Sequence, residues 1–286
     1  DPAGLTSTST LTVNVVGIND APEAISVAEA EALTIDNGEI TVDEDGAGFS
    51  ITYAGQEDGA AVAGDLSKLV NDPDSGAILN FAVASGGEAE NGSVTMLAQQ
   101  ETLTISGAGV GEKYTFSING QQVSYEGLSA EETNTQDEDP EAVANKLVDK
   151  INTDPAFAAV IASSGDGATV VLTAASAGTP FSVAVPDGVN VNAVTTVANG
   201  EFSYVPATDF FGSDSFIYRV EDQSGLAVTK TVSIDIAPVN DAPDLLNETT
   251  ALDGSWTLAK SDLVGIDASK DVISEQGSIS KNADGS

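Results

Sequence analysis

The sequence predicts a mainly β protein: a β-sandwich interrupted by a small α+β insert. Three observations lead there. Apolar residues recur with a period of two along many short stretches. The same strand and turn occur twice, at Gly4–Pro22 (GLTSTSTLTVNVVGINDAP) and Gly225–Pro243 (GLAVTKTVSIDIAPVNDAP). Between the two copies, one stretch changes its grammar, with a tight hairpin and a helix-period stripe.

The repeat defines the frame. In each copy a glycine turn leads into alternating residues, Leu11, Val13 and Val15 in the first and Val232, Ile234 and Ile236 in the second. Strict alternation marks a strand with one buried face. Each copy then ends in Asn-Asp-Ala-Pro, and proline cannot continue a ladder. Asp1 corresponds to Asp222 in the same alignment. One repeat unit therefore lies between Asp20 and Asp241.

Around that frame, Gly200–Pro243 contains GEFSYVPATDFFGSDSFIYRVEDQSG and then VNDAP, while VDEDG (42–46), VNDPDSGAILNFAV (70–83) and NGSVTM (91–96) precede it. These segments resemble the two halves of the cadherin-like, tandem-95 type repeats of bacterial RTX adhesins. The resemblance covers somewhat under half the chain and implies an Ig/cadherin-like Greek-key β-sandwich. In that family a short turn joins the halves. Here about a hundred residues intervene, the size of a small domain. The resulting division is 1–22 as the last strand and linker of a preceding repeat, and 23–97 as the first half of the split sandwich. Residues 98–198 form the insert, 199–243 the second half with its linker, and 244–286 the start of a next repeat.

Within the insert, Lys113–Glu126 alternates into Asn119-Gly120 and out again, a hairpin signal. Asp139-Pro140 reads as an N-cap followed by proline at the first helical position. Val143, Leu147 and Ile151 then form one apolar stripe. Asp154-Pro155 repeats the start signal, and strands are predicted at Thr169–Ala174 and Phe181–Val185, giving a ββ-α-ββ layout. In the second sandwich half, Asp209 and Asp214 are expected to bond backbone in a turn, with Phe210 and Phe211 in the core.

Charge sets the function classes. The chain has 45 Asp+Glu against 9 Lys+Arg, a formal net charge of −36, with no His and no Cys. Repulsion on this scale works against compaction unless cations neutralise part of it. Disorder is the poorer explanation, because 41% of the residues are apolar and fall in ordered patterns. Nucleic acid and anionic membrane surfaces need clustered bases, and Arg219 is the only arginine. No apolar run approaches the roughly 20 residues of a membrane span. Without His or Cys the usual general bases and thiol nucleophiles are missing, so the reading is non-enzymatic. Gly107–Gly111 lacks the lysine and helix of a phosphate cradle and reads as a turn.

Calcium takes six to eight oxygen ligands from carboxylates, amides and carbonyls. The resemblance places such sites between successive sandwiches, at Asn19, Asp20, Asn240 and Asp241. The alternative is a simple turn with a rigid proline exit. Asp43, Glu44 and Asp45, with Asp72 and Asp74, form two further acidic loops, read either as calcium ligands or as solvated surface. Glu221 and Asp222 close a strand before a glycine turn and complete the candidate Ca2+ set.

The resemblance thus implies a secreted, monomeric, calcium-stabilised extender at the bacterial cell surface. It would be exported by type I secretion, with neighbouring repeats as partners and adhesion or biofilm formation as its role. A second reading makes the insert a recognition module for a surface glycan or peptide.

Overall fold

A computed structural model describes residues 18–107, 111–127 and 139–240. The first copy of the repeated strand, Asp241 and the 244–286 segment lie outside the described residues. Strands β1 to β17 and helices α1 and α2 are numbered in chain order. The fold is a mainly β, Ig-like β-sandwich with a second α+β core beside it.

The sandwich has two facing sheets. The larger joins β2 (Gly38–Val42), β3 (Phe49–Gln56), β17 (Ala227–Ala237), β16 (Gly212–Glu221) and β6 (Asn80–Val83), in that order. The smaller joins β4 (Val62–Asp65), β15 (Glu201–Pro206) and β7 (Gly92–Met96). All pairs in both sheets are antiparallel except β17 with β3, which run in parallel from Ser233↔Thr52 to Ala237↔Gln56. Period-two alternation turns Val232, Ile234 and Ile236 inward, onto Tyr53, Phe202, Tyr204, Phe216 and Tyr218. Phe202 meets Tyr53 and Phe216 edge-on, with ring centroids 5.2 and 5.0 Å apart.

A short strand, β1 (Glu23–Ala24), pairs with β5 (Val70–Asn71). Next comes α1 (Val27–Ala32), whose capping box joins Ser26 and Glu29. The alternating sequence gave no sign of this helix. Phe210 packs half-buried against the sandwich core, but Phe211 is 47% exposed. The turn at Asp209, where φ is +58°, rotates Phe211 away from the core. The expectation that both phenylalanines are buried is therefore corrected.

The second core gathers around α2 (Pro140–Thr153). Asp139 caps it by accepting from Glu141 N at 3.1 Å, Pro140 opens it, and Val143, Ala144, Leu147 and Ile151 are buried. This stripe packs against β8 (Gln100–Ile105), β10 (Gln121–Glu126), β11 (Val160–Ser164) and β12 (Thr169–Ala174). One sheet runs β11-β12-β8-β14, with β14 at Val191–Val197. The other runs β10-β9-β13, with β9 at Lys113–Ile118 and β13 at Val183–Ala184. The β9–β10 turn places Asn119 and Gly120 at φ +50° and +76°, as a type I′ turn requires. The core is richer in strands than ββ-α-ββ. β8, β11 and β14 supply half-buried faces, and the strand expected over Phe181–Val185 shrinks to the two residues of β13.

The two cores meet along the β6 edge of the sandwich. Phe81 N donates to Gly178 O at 2.8 Å, and Asn199 Nδ2 donates to Leu79 O at 2.8 Å. Gln99, buried where the chain passes from one core to the other, bonds both backbone groups of Phe181: Nε2 to its oxygen at 2.9 Å and Oε1 from its nitrogen at 3.0 Å.

Candidate functional site: an acidic pole at the N-terminal linker

The strand ends define two poles. β17 begins at Ala227 beside Glu221 and ends at Ala237 beside Gln56. Its 11 residues separate the poles by roughly 35 Å. The chain enters at the Glu221 end through Asn19-Asp20 and leaves at the other through Val239-Asn240.

At the leading pole the linker is pinned by two acidic loops. Asn19 Nδ2 donates to Asp222 Oδ2 at 2.5 Å, and Asp20 N donates to Asp74 Oδ2 at 2.7 Å. Asp74 N in turn donates to Asp72 Oδ1 at 2.8 Å. The other carboxylate oxygen, Asp72 Oδ2, is buried with no hydrogen-bond partner. Asp222 is buried, and its Oδ1 accepts from Ser224 N at 2.8 Å and Leu226 N at 2.9 Å. Asx turns explain these two loops locally: an Asp side chain bonds the backbone two residues on and fixes the turn.

The Asn19 amide is the main cause holding the Asp222 carboxyl below the usual carboxylate range; burial opposes it, and the Leu226, Ser224 and Gly225 amides add to it. A depressed carboxyl stabilises the fold above its unfolded pKa of about 3.9, and that contribution disappears as pH falls through the folded value. The stability difference between the native chain and Asp222→Asn, measured by denaturant unfolding in chelator, should thus be constant from neutrality to mildly acidic pH. Below about pH 4 it should shrink. A difference independent of pH down to strong acid would refute the role given to this carboxylate.

The remaining candidates fall out as follows. Asp43, Glu44 and Asp45 form the exposed β2–β3 turn, at the same pole by register, where Asp45 Oδ1 accepts from Ala47 N at 3.0 Å. Their hydrogen bonds stay within the turn. Glu221 pairs with Arg219. Ion pairs among the described residues also reach Asp65 and Glu126, so none of them neutralises Asp20, Asp72, Asp74 or Asp222. Asn240 is the last described residue at the trailing pole, and Asp241 lies outside.

The trailing pole holds one residue the sequence reading missed. Glu57 is only 4% exposed; its N donates to Ala237 O at 2.9 Å, and its Oε2 accepts from Val239 N at 3.0 Å. A carboxylate thus grips the linker amide at each pole, Asp74 at one and Glu57 at the other. Glu57-Asp58-Gly59 echoes the Asp-Glu-Asp-Gly of the β2–β3 turn, which is the signal that points to it.

The donor set at the leading pole is all oxygen apart from one amide nitrogen, and it contains an orphaned buried carboxylate oxygen. Both features fit a hard cation. Among the described residues no group of three or more acidic side chains already stands at mutual ligating distance.

A family model described as a bacterial Ig domain matches residues 136–235. The match begins just before α2, runs through β11 to β14 of the second core, leaving out β8, β9 and β10, and ends in β17 after β15 and β16 of the sandwich. No curated protein matches the chain. Among the described residues no helix is long and apolar enough to cross a membrane. Bacterial Ig domains are structural or adhesion-type modules, often displayed outside the cell, and their fold is not an enzymatic one. The sandwich seen here shares the Ig-like fold that this description names.

Proposed function

We propose that this segment is a calcium-stabilised extender of a large secreted bacterial adhesin, one link in a row of similar modules that holds an adhesive region away from the cell. The observation that carries the reading is the leading pole. There the linker residues Asn19 and Asp20 are tied to Asp222 and Asp74, beside the unpartnered Asp72 Oδ2. A calcium ion held by Asp20, Asp72, Asp74 and Asp222 would neutralise that oxygen and cross-link linker to loops. Each junction would then resist bending. Entry at one pole and exit at the other suits an end-to-end chain, and the net charge of −36 supplies the need for counter-ions. Adhesion, biofilm formation and type I secretion follow from the resemblance to RTX adhesin repeats.

Thermal unfolding in calcium, in magnesium and in chelator tests this reading. A ligand at a hundred times its Kd adds about 2.7 kcal/mol, which for a chain of this size raises Tm by roughly 5–10 °C. The rise should be specific to calcium and should largely vanish in Asp72→Asn. Equal Tm in calcium and chelator would defeat the proposal.

A further inference from the structure

We propose that the open edge of β14 pairs with β14 of a second copy of this chain, joining two molecules through one continuous sheet. This goes beyond the extender reading, does not depend on calcium, and replaces the monomer that the resemblance implies.

Hydrogen-bond direction identifies the edge. Ser106 N donates to Asn190 O at 3.0 Å, and the β8–β14 register continues from that pair through Ile105↔Val191 to Glu101↔Thr195. Antiparallel pairs alternate between bonded and unbonded. Asn192 and Val194 therefore aim their backbone groups at β8, while Ala193 and Thr195 aim theirs away from it. Among the described residues no backbone group bonds β14 on that side. Ala193 is half-buried there, and Val194 and Thr195 are exposed, Val194 at 53%.

Other sheet edges are protected. At the opposite edge of the same sheet, Asn152 of α2 donates from Nδ2 to Ala162 O at 2.8 Å and accepts at Oδ1 from Ala162 N at 2.9 Å. Its side-chain amide stands where an added strand would bond, and seals β11. β2, β4 and β10 carry Glu39, Asp65 and Glu126, β7 follows Glu88 and Glu90, and β6 is bonded to Gly178. β1, β5 and β13 are only two residues long. Charge, cover and shortness are the usual protections of an edge. β14, at 7 residues the longest edge strand among the described residues, contains no charge and no proline. Its bulge after Thr195 confines the open stretch to the residues before it.

The strand's own pattern selects the occupant. About a two-fold axis at Val194, Ala193 of each copy lies opposite Thr195 of the other, and these are the residues whose N–H and C=O point outward. Val194 then meets its own counterpart in the close, unbonded position, which takes an exposed apolar side chain out of water. Charge agrees with this choice. Chains of net charge −36 repel each other, so contact is least opposed where neither brings an acid. The contact is short, below about 1,200 Å2, and the dimer is accordingly weak.

The test is sedimentation of the whole chain in chelator, from roughly 10 μM to 1 mM, with amide hydrogen exchange at both ends of that range. The mean mass should rise from that of one chain towards that of two. Raising NaCl from roughly 0.02 to 0.5 M should strengthen the dimer, because salt screens the repulsion. The Ala193 and Thr195 amides should exchange about twofold or more slower at the higher concentration, while the sealed Ala162 amide stays unchanged. Val194→Glu sets two like charges face to face at an exposed position, and should weaken the dimer about tenfold or more with Tm unchanged. Ala193→Pro removes an outward donor that β8 does not use, and should do the same. A single-chain mass at the highest concentration in high salt overturns the proposal. So does a dimer that leaves both amides unprotected, or one that Val194→Glu does not weaken.

Discussion

Replacing Asp214 by alanine should destabilise the sandwich by about 3 kcal/mol or more, because it leaves several buried donors without an acceptor. Asp214 is 8% exposed and lies near the start of β16, two residues after Gly212. Its carboxylate accepts from Ser215 N at 2.8 Å, Asn91 N at 2.9 Å, Tyr204 Oη at 2.9 Å and Glu90 N at 3.2 Å. It thereby ties the β6–β7 loop to β15 and β16. Burial pushes this carboxyl up, but the Asn91 and Ser215 amides, the Tyr204 hydroxyl and the Glu90 amide outweigh it, and the net shift is downward. Tyr204, buried against the same carboxylate, is pushed up in turn. Asp214→Asn keeps the shape and part of the acceptor capacity, so it should cost less than the alanine. Urea unfolding ranks the two. A cost for Asp214→Ala within the surface range of about 0.5 kcal/mol would mean that the network contributes nothing.

The second large effect is expected at Gly178. Its φ is +72°, and a Cβ there would stand 1.8 Å from Phe81 O. The obstacle is backbone, so no side-chain rotation relieves it. Gly178→Ala must break the Phe81 N–Gly178 O bond or shift the loop, on top of the left-handed backbone strain of about 1 kcal/mol. Hydrogen exchange should show the Phe81 amide losing protection about tenfold or more, since this bond is its hold on the second core. The α2 amides should stay protected, because Val143, Leu147 and Ile151 pack within their own core. Unchanged exchange at Phe81 would show that the two cores are not clamped there.

Periodicity and turn chemistry were legible along the chain. The alternation of Val232, Ile234 and Ile236 produced a strand with those three buried, and Asn119-Gly120 produced the turn its chemistry requires. Asp139-Pro140 started α2 at that point. Each is a local rule, settled within a few residues by backbone sterics and capping. The misses share a cause as well. Phe211 is apolar and follows a turn expected to bury it, but the left-handed backbone at Asp209 directs it outward. β13 is short because its partner β9 and the docking of Gly178 and Phe181 leave only Val183–Ala184 free to pair. α1 forms from a six-residue Val/Ala/Glu stretch that carries no apolar stripe and is held by its cap.

The candidate site divides in the same way. The sequence alone determined that acidic Asx turns flank a repeated Asn-Asp linker, because an aspartate two residues before a turn amide satisfies it wherever it lies. Only the tertiary structure decided which of those turns meet. Asn19 and Asp222 are joined because the chain enters where β16 ends, and Asp20 meets Asp74 because β1 pairs with β5 just before Asp72. Glu221 was drawn off by Arg219, and the Asp43–Asp45 turn bonds only to itself. Glu57, Asn199 and Gly178 acquire their roles from backbone brought close from far along the chain. Hydrogen-bond satisfaction and steric overlap between such segments depend on distances that no local pattern encodes.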